Sequence, residues 1–388
     1  MKRILITGAA GFIGSHLAEA LKDSGAHLVF LDALNYAGHP ENLQAFSDLL
    51  TIVPRFGEDL AVVDHTGRVQ SLGVPLDADK LPADAREAAD PEEFSRLLAQ
   101  AEAEGRPVLV VANLVNRPVA QQVMARVDQV VHLAAETHVD RSIVHPQRFL
   151  ASDIWGTYTL LEAARRHPVE RFLYVSTDEV YGEVPEGAAA ETWPLRPSSP
   201  YAASKAAADR LAFAYHRAYR VPVIIARPSN AFGPRQYPEK LIPVMTLLAL
   251  AHQPLPLYGD GRQRRNWIYV RDLARALVLL LERGEPGTEY NVPGTREIAN
   301  LDLVRKILDL LGRPHSLIRF VKDRPGHDRR YALTGDRIRA LGFTPTHDFD
   351  QALRETVVWY REHQDWLRLM MARDAFLREW YRERGLEV

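Results

Sequence analysis

Two neighbouring carboxylic acids stand where a buried strand is predicted to end. Asp178 and Glu179 follow Thr177, just beyond the apolar run Arg171–Val175. In a partly dry cleft two adjacent carboxyl groups cannot both ionise at their usual pKa, so one can be held protonated as an acid while the other acts as a base. A solvated loop is the simpler interpretation of such a pair taken alone.

A tyrosine and a lysine four residues apart follow shortly downstream. The run Ser198–Pro200 is typical of a helix start, so Tyr201 and Lys205 are predicted to lie one turn apart on the same helical face. A cation beside a phenol lowers the pKa of that phenol, which makes the tyrosine a usable base. This second pair favours acid–base chemistry over a solvated loop for Asp178 and Glu179.

The N-terminal residues predict a dinucleotide site. A buried strand, Lys2–Thr7, runs into a turn that contains Gly8, Gly11 and Gly14 and opens a helix. These glycines allow a tight turn, close approach of a pyrophosphate and close helix–strand packing. Asp32 ends the next strand, where an acid meets the adenosine ribose and repels a 2′-phosphate, so NAD is favoured over NADP. An ordinary glycine-rich turn is the alternative.

The elements that position these groups alternate between strand and helix as far as Arg227. Further predicted strands are Val108–Val111, Gln129–Ala135, Arg171–Val175 and Val221–Arg227, and further helices are Thr157–Arg166 and Tyr201–Arg220. This alternation is typical of a doubly wound parallel sheet, so the predicted class is α/β with a smaller mixed α/β substrate lobe. Ligands of such sheets bind at the carboxyl ends of the strands, where the glycine turn and the acid pair both fall.

Residues 54–107 interrupt the alternation. Two short runs, Leu60–Asp64 and Arg68–Leu72, predict a hairpin, and Asp90 is placed to cap a helix with apolar residues at helical spacing. We interpret the segment as an insertion with a solvated acidic surface. A lid or an oligomer contact is the alternative.

The predicted domain boundaries follow from these patterns. Residues 1–228 form the dinucleotide-binding domain with its insertion, and residues 266–284 return to it. Residues 229–265 and 285–362 form the substrate lobe, and residues 363–388 form a C-terminal helical extension.

The two C-terminal regions differ in character. The substrate lobe is rich in arginines, lysines and amides, which suit a diphosphate ligand, although each cation alone is more simply a surface ion-pair partner. The extension carries apolar residues on roughly one helical face, which predicts docking on its own domain or on a second subunit. These residues are Trp366, Leu369, Met370, Phe376, Leu377 and Trp380.

Composition excludes several classes of function. The 388 residues carry a net charge of −2 with scattered basic residues, which argues against nucleic-acid binding. The chain has no cysteine, and its histidines show no metal-ligand spacing, so no metal site is predicted. The longest apolar run, Leu241–Ala251, is too short to span a membrane, and Met1–Thr7 lacks the features of a signal peptide. The expected location is therefore the cytoplasm.

Motifs along most of the chain resemble one known family. They are Thr7–Ser15, Leu31–Gly38, His132–Ser142, Val175–Gly182, Tyr201–Lys205, Pro238–Pro243 and Asp323–Tyr331. The sequence resembles the extended short-chain dehydrogenase/reductases, and within them the dTDP-glucose 4,6-dehydratases. The triplet Thr177, Asp178 and Glu179 is the most specific of these features, because related epimerases and decarboxylases usually lack the adjacent acid pair.

The resemblance implies a role for each catalytic residue. Tyr201, beside Lys205, takes the proton of the sugar C4 hydroxyl while hydride passes to NAD, and Thr177 positions that oxygen. Glu179 then removes the C5 proton, protonated Asp178 donates to the departing C6 hydroxyl, and hydride returns to C6. A homodimer, paired through the Gly156–Arg166 and Tyr201–Arg220 helices, is also implied.

The resemblance also implies two sets of binding residues. For the cofactor they are Gly8, Gly11, Phe12, Ile13, Gly14, Asp32, Asn35, Asn113, Leu114, Leu133, Ala134, Ala135, Tyr201 and Lys205. For the nucleotide sugar they are Thr137, Asn230, Lys240, Leu241, Arg265, Asn300, Arg324 and Tyr331.

The chain departs from the family pattern at several positions. Ala112–Leu114 replaces glycine, aspartate and a hydrophobic residue near the adenine, and Ser152–Asp153 replaces threonine and asparagine. Ala231–Phe232 and Arg264–Trp267 alter the nucleotide-sugar side. The alternatives are therefore a UDP-sugar epimerase or decarboxylase, in which the acid pair is incidental, and a catalytically silent NAD-binding scaffold.

Overall fold

The computed structural model describes residues 1–59, 61–63, 69–71, 73 and 76–382. The chain forms two compact units. The first unit consists of Met1–Thr177, Pro200–Arg227 and Ala274–Tyr290, and the second of Asp178–Ser199, Pro228–Leu273 and Asn291–Val388.

The secondary structure alternates as predicted through the first part of the chain. The strands are β1 Arg3–Thr7, β2 His27–Asp32, β3 Leu50–Pro54, β4 Ala61–Val63, β5 Val69–Ser71, β6 Arg86–Ala88, β7 Val108–Val111, β8 Gln129–His132, β9 Arg171–Val175, β10 Val223–Pro228, β11 Asn230–Phe232, β12 Leu255–Tyr258, β13 Arg264–Tyr269, β14 Glu289–Val292, β15 Arg296–Ala299 and β16 Ile318–Val321. The α-helices are α1 Phe12–Leu21, α2 Pro91–Glu104, α3 Arg117–Met124, α4 Val139–Val144, α5 Pro146–Phe149, α6 Gly156–Arg166, α7 Pro200–Tyr219, α8 Leu241–Leu250, α9 Val270–Arg283, α10 Asn300–Leu311, α11 Asp336–Ala340, α12 Phe349–Glu362, α13 Gln364–Ala372 and α14 Ala375–Arg382. A π-helical turn, Leu150–Trp155, precedes α6.

Nine of the described strands form one large sheet, in the order β14, β10, β9, β8, β1, β2, β7, β3 and β6. The pairings from β10 to β6 are parallel. All residues of β2 and β7 are buried, as expected for parallel strands covered on both faces. From β1 the chain builds one side of the sheet, passing through β2, β3 and β6 before it returns to β7, and from β8 it builds the other side through β9, β10 and β14, so the strand order reverses between β1 and β8. The predicted doubly wound α/β fold is confirmed.

The segment predicted as an insertion is shorter than expected. β6 pairs with β3 at the edge of the large sheet, and α2 then leads into β7, so the alternation resumes at Arg86 rather than near Pro107. The sequence does not predict β6, because this strand has only three residues, two of them exposed, and therefore shows no apolar pattern. We call residues 55–85 the inserted segment. Its strands β4 and β5 pair antiparallel, and residues 60, 64–68 and 72 of the predicted hairpin lie outside the described part of the chain.

The unit boundaries also differ from the predicted domains. The chain returns to the first unit at Ala274 rather than at residue 266, and Asp178–Ser199 belongs to the second unit. The reason is long-range bonding within the second unit. The Tyr181 hydroxyl donates to Asn291 Oδ1 (2.8 Å), and the Ala189 amide donates to the Ala332 carbonyl (2.9 Å).

The second unit contains the mixed lobe that the sequence predicts. One sheet has the order β11, β13, β15, with a parallel and an antiparallel pairing, and β12 pairs with β16 in parallel. The C-terminal extension is two helices, α13 and α14, so the prediction of one continuous helix is wrong. Asp374, which stands between them, is the N-cap of α14: its carboxylate accepts the Leu377 amide (3.1 Å) and the Tyr237 hydroxyl (2.9 Å). The buried face contains Leu367 and Met370, whereas Leu369 is exposed.

Within the first unit a buried ion pair fixes α7 against β10. The Arg227 guanidinium donates to both carboxylate oxygens of Asp209, from Nε and from Nη2, at 2.9 Å each. Both side chains are at most 1% exposed. Burial opposes ionisation of Asp209, but the hydrogen bonds and charges of Arg227 and Arg210 together outweigh it and lower the pKa of that carboxyl. Geometry of this quality is needed for a buried pair to offset its desolvation.

The apolar residues of the two helices through which the resemblance implies a dimer lie mostly inside the single chain. Leu160, Leu161 and Ala164 of α6 are buried, as are Ala212 and Tyr215 of α7. These side chains belong to the hydrophobic core of the first unit, so they do not supply surface for a second subunit. The large apolar side chains that stay exposed in this region are different ones: Ile143, Val144, Leu150, Trp155 and Tyr219. Among the described residues, no helix is long and apolar enough to cross a membrane.

Candidate active site

The glycine turn packs too closely to admit side chains. Gly8 has φ +69°, and a Cβ there would lie 2.9 Å from the Cα of Ala134, just beyond β8. A Cβ at Gly14 would lie 2.1 Å from the Gly8 carbonyl oxygen. The N-terminus of α1, at Phe12 and Ile13, therefore approaches the ends of β1 and β8 with bare backbone, which is what a helix N-terminus needs to receive a phosphate.

Asp32 holds this turn to the loop after β2. Its Oδ2 accepts the Ala10 amide and its Oδ1 accepts the Leu34 amide, both at 2.9 Å. Burial raises the pKa of Asp32, opposed by these two bonds and by the Lys80 ammonium. Each carboxylate oxygen has a second lone pair, so the group can still accept ribose hydroxyls. The sequence predicts the ribose contact but not this anchoring role.

A directed chain of buried hydrogen bonds links β1 to the π-helical turn. Thr7 Oγ1 accepts the Leu133 and Ala134 amides (3.2 Å each) and contacts His132 Nδ1 at 2.7 Å. His132 Nε2 contacts Thr157 Oγ1 at 3.0 Å, and that hydroxyl donates to the Asp153 carbonyl.

The order of donors in this chain is fixed by its ends. Burial lowers the pKa of His132 to about 3, so the ring is neutral. The Thr157 hydroxyl already donates its hydrogen to the Asp153 carbonyl, so it can only accept from His132. His132 must therefore donate from Nε2 and accept a hydrogen bond from the Thr7 hydroxyl at Nδ1. The chain therefore holds one imidazole tautomer beneath the residues Leu133 and Ala134 of the predicted cofactor site.

Lys205 is a buried cation on α7. Its Nζ donates to the Val175 carbonyl at the end of β9 (2.7 Å) and lies 4.5 Å from the centre of the Tyr174 ring. Burial lowers the pKa of Lys205 to about 8, against the attraction of Asp153 and Asp209. Tyr201, one turn earlier, is buried against Phe149. The bond to Val175 ties this helix to the strand end from which Thr177 follows two residues later.

Asp153 is a carboxyl group that sequence reasoning noted only as a departure. Its Oδ1 accepts the Glu136 amide (2.9 Å) and its Oδ2 accepts the Ser204 hydroxyl (2.6 Å). Burial raises its pKa to about 6, although Lys205 and these two bonds lower it. Ser204 is the residue before Lys205, so Asp153 both orients α7 and supplies negative charge near the buried lysine.

The acid pair begins the second unit. Thr177 is buried at the end of the first unit, and Asp178–Tyr181 forms a 3₁₀ turn in which Asp178 is buried and Glu179 is half-buried. Within the second unit Glu179 lies near Tyr331. Burial is the main cause that raises the pKa of the Tyr331 phenol, and the charge of Glu179 raises it further. The two acids therefore sit in different surroundings, as distinct acid and base roles require.

A cluster around Arg265 lies in the second unit. Its guanidinium donates to the Arg264 and Asp328 carbonyls (2.9 Å each) and stacks 4.2 Å from the centre of the Tyr331 ring. The Tyr331 hydroxyl donates to Asp328 Oδ2 (2.8 Å), and the Ser198 hydroxyl donates to the same carboxylate (2.7 Å). A buried, stacked guanidinium with donors in a fixed plane suits a phosphate or a base.

The remaining predicted residues are divided between the units. The first unit contains Gly11, Asn35, Asn113, Leu114, Ala135 and Thr137, and the second contains Asn230, Lys240, Leu241, Asn300 and Arg324. Asn35 Nδ2 donates to Glu136 Oε1 (2.6 Å), and Lys240 Nζ lies 4.0 Å from Glu239 Oε1. Within the second unit, the residues that the structure brings directly together are Arg265 and Tyr331, with Glu179 close to Tyr331.

Comparison with known proteins identifies the family. The NAD dependent epimerase/dehydratase family matches residues 4–293. The chain belongs to this family. It is 41% identical over 365 residues to a dTDP-glucose 4,6-dehydratase of Actinoplanes sp., which covers 94% of this chain and 99% of the relative. The predicted resemblance to the extended short-chain dehydrogenase/reductases is confirmed.

Solved structures of family members share the fold. A double mutant of the Streptomyces venezuelae dTDP-glucose 4,6-dehydratase, solved with NAD bound, is 36% identical with a TM-score of 0.78 over 95% of this chain and 99% of that one. The Thermus thermophilus UDP-glucose 4-epimerase, in complex with NAD, is 28% identical with a TM-score of 0.73 over 93% and 99%. The dinucleotide in the family's name fits the residues here, because Gly8 and Gly14 leave no room for side chains at the N-terminus of α1 and Asp32 ends β2.

We predict that Asp153→Asn stabilises the protein more at high pH than at low pH. The folded pKa of about 6 lies above the ordinary value of 3.8, so ionisation of Asp153 costs folding free energy that appears as the pH rises through that window. Asparagine never ionises, so the gain should be near zero at about pH 4 and about 1–3 kcal/mol at about pH 8. The oxygen of the new side-chain amide can accept a hydrogen bond from the Glu136 backbone amide, and its nitrogen can donate one to the Ser204 hydroxyl. That hydroxyl can still donate to the Tyr201 carbonyl (2.8 Å).

Chemical unfolding of the full chain at both pH values measures this difference. The exposed residue Asp23 supplies the matched control, since Asp23→Asn should change stability little at either pH. A gain that is equal at both pH values, or a loss at both, would contradict the assignment of a costly buried charge to Asp153.

Proposed function

We propose that the protein is an NAD-dependent nucleotide-sugar 4,6-dehydratase that converts dTDP-glucose to dTDP-4-keto-6-deoxyglucose and water. The observation that carries this proposal is the bond from Lys205 Nζ to the Val175 carbonyl. It holds the Tyr201–Lys205 helix at the end of β9, from which Thr177, Asp178 and Glu179 continue directly. The similarity to dTDP-glucose 4,6-dehydratases, which extends over nearly the whole chain, supports the same reaction.

Tyr201 and Lys205 act on the C4 hydroxyl in this proposal. Lys205 keeps its positive charge at neutral pH, because its pKa of about 8 is lowered by burial but still lies above 7. A positive charge on the adjacent turn favours the phenolate form of Tyr201, which can then take the C4 proton. Thr177, at the end of the buried strand, positions that oxygen. Bound NAD supplies a two-electron acceptor that is regenerated, so the sugar is not oxidised overall.

Asp178 and Glu179 carry out the loss of water. A ketone at C4 acidifies the C5 hydrogen, which Glu179 removes as a base, while Asp178 donates a proton to the departing C6 hydroxyl. Burial favours the neutral form of a carboxyl group, and Asp178 is 2% exposed, whereas Glu179 is half-buried. This difference supports the assignment of acid to Asp178 and base to Glu179.

A sister activity is the second candidate. The fold is shared with a UDP-glucose 4-epimerase, and the substitutions Ala231–Phe232 and Arg264–Trp267 fall on the predicted nucleotide-sugar side. An epimerase would use Tyr201 and Lys205 and leave Asp178 and Glu179 idle. A silent NAD-binding scaffold would use neither pair.

We predict that the protein turns dTDP-glucose into a product lighter by one water molecule, detected by mass spectrometry. Asp178→Asn should retain the C4 oxidation but lose at least about a hundredfold of the dehydration rate, as is typical when a general acid is removed. Transient absorbance of the reduced cofactor follows the first step, and product mass follows the second. Glu186→Gln, at an exposed position shortly after the turn, is the matched control with unchanged turnover.

The other possible outcomes would contradict either the role of Asp178 or the dehydratase activity. Full turnover by Asp178→Asn would remove the acid role from that residue. A product of unchanged mass but inverted C4 would indicate the epimerase, and no reaction with any tested nucleotide sugar would indicate the scaffold.

We also predict that Arg265 binds the diphosphate or base of the substrate. Charge-assisted bonds to phosphate contribute about 1.5–3 kcal/mol each, so Arg265→Ala should weaken substrate binding at least about tenfold and leave NAD binding unchanged. Calorimetric titration with dTDP measures the effect, and Arg262→Ala, exposed three residues before, is the control. Unchanged dTDP affinity would show that the Arg265 cluster is only structural.

We propose further that the protein is a homodimer. Val144, Leu150, Trp155 and Tyr219 are each at least 40% exposed around the π-helical turn and the end of α7. The first three lie in or beside the π-helical turn, and exposed apolar side chains that lie close together mark an interaction surface. A second copy covering them would brace α7, on which Tyr201 and Lys205 lie.

Light scattering at micromolar concentration tests this assembly. We expect twice the chain mass of 43.8 kDa and a shift towards monomer in Trp155→Glu. Trp193→Glu, which alters a tryptophan of similar exposure in the second unit, should remain dimeric. A monomeric mass together with full activity would rule out the dimer as a requirement for function.

A further inference from the structure

The inserted segment touches both loops that follow β2 and β7. Asp59 Oδ2 accepts a hydrogen bond from Asn113 Nδ2 (3.0 Å), two residues after the end of β7. Lys80, buried near the other end of the segment, donates to the Tyr36 carbonyl (3.4 Å), the Gly38 carbonyl (3.2 Å) and the Asn35 carbonyl in the loop after β2. All of these residues belong to the first unit.

The position of Asp59 is fixed by its neighbours. Phe56 packs against Phe94 of α2 with ring centres 5.5 Å apart. Asn116, the N-cap of α3, donates to the Phe56 carbonyl (3.4 Å) and forms a β-bridge with Asp59. A Cβ at Gly73 would lie 1.6 Å from Asp59 Oδ2, so only glycine lets the segment pass over that carboxylate. These contacts fix the position of Asp59 within the first unit.

The strand end that Asp59 contacts adjoins Asp32, the predicted ligand of the adenosine ribose. The Ala112 amide donates to the Asp32 carbonyl (3.0 Å), which sets Asn113 beside the end of β2. If Asp32 accepts the adenosine ribose hydroxyls, the base on that ribose must lie at a neighbouring strand end. β7 is the strand that pairs with β2 on the side away from β1.

The carboxylate of Asp59 is suited to a donor on the base. Asp59 is half-buried, and burial raises its pKa although the Asn113 bond lowers it. Within the described part of the chain, Oδ1 accepts no hydrogen bond, while Oδ2 is held by Asn113. A partly dry carboxylate oxygen in this state gains from a hydrogen-bond donor. Adenine offers one, its exocyclic amino group, whereas hypoxanthine presents a carbonyl oxygen at the same position.

We propose that Asp59 accepts a hydrogen bond from the exocyclic amino group of the cofactor's adenine, so that the inserted segment supplies a specificity-determining contact to the dinucleotide. Lys80 has a separate positioning role, in which it braces the loop after β2. The proposal rests on the proposed function only in requiring that the chain binds NAD.

Calorimetric titration of the full chain, freed of nucleotide with charcoal, tests the proposal with two ligands. These are NAD and nicotinamide hypoxanthine dinucleotide, in which a carbonyl replaces the 6-amino group of the base and N1 carries a hydrogen. Wild-type protein should bind NAD at least about tenfold more tightly, the factor typical of a hydrogen bond to a charged group. Asp59→Ala should lose that preference by weakening NAD alone.

A conservative variant sharpens the test. In Asp59→Asn the side-chain oxygen can keep the Asn113 bond while the amide donates to the hypoxanthine carbonyl, so the preference should reverse. Glu58→Ala, at the exposed neighbouring position, should bind both ligands as wild type does. Lys80→Met should weaken both ligands by the same factor, because it disturbs the loop and not the contact to the base.

The outcomes separate this proposal from the proposed function. Equal binding of the two dinucleotides by wild-type protein would overturn the role of Asp59 and leave the dehydratase intact. Equal weakening of both ligands by Asp59→Ala, with an unchanged melting temperature, would show that the residue only positions the loop and would also overturn it. Failure of wild-type protein to bind NAD would overturn both proposals.

Discussion

The buried charge of Lys205 is the constraint on which the candidate active site depends. An ammonium group in a dry interior is costly, and here the Val175 carbonyl, the Tyr174 ring and two carboxyl groups offset part of that cost. The remaining penalty leaves the pKa at about 8, just high enough to keep the charge at neutral pH. A group poised so near the working pH can assist a proton transfer in either direction.

The two carboxyl groups that support Lys205 do so in different ways. Asp209 pairs with both Arg227 and Arg210, and its two bonds from Arg227 hold α7 against β10. Among the described residues Asp153 pairs with no arginine; the Ser204 hydroxyl, the Glu136 amide and the charge of Lys205 favour its ionised form, but burial still makes that ionisation costly. Through its carbonyl Asp153 also ends the hydrogen-bond chain that starts at Thr7. The strand that carries the glycine turn and the helix that carries Lys205 are therefore joined through one continuous set of buried bonds.

Local chemistry explains what the sequence could predict. The central strands of the large sheet are short apolar runs, so β1, β2, β7 and β9 lie where expected, within one residue at each end. The contacts of Asp59, Asn113 and Lys80 join residues more than forty positions apart, and no periodicity links them. The break between α13 and α14 was predictable in principle, because Asp374 is a helix-capping residue type and stands directly before α14.

The pairing of Asp209 with Arg227 restricts how this protein can change over generations. A single substitution at either position removes both 2.9 Å bonds from the other, buried charge and leaves it only the neighbouring charges of Arg210 or Glu289 among the described residues, and the breaking of a buried pair typically costs about 3–5 kcal/mol, a large share of the stability of an ordinary domain. Replacement of both by apolar residues of similar volume is often neutral. The two positions therefore form one inherited unit, and descendants should carry either both charges or neither.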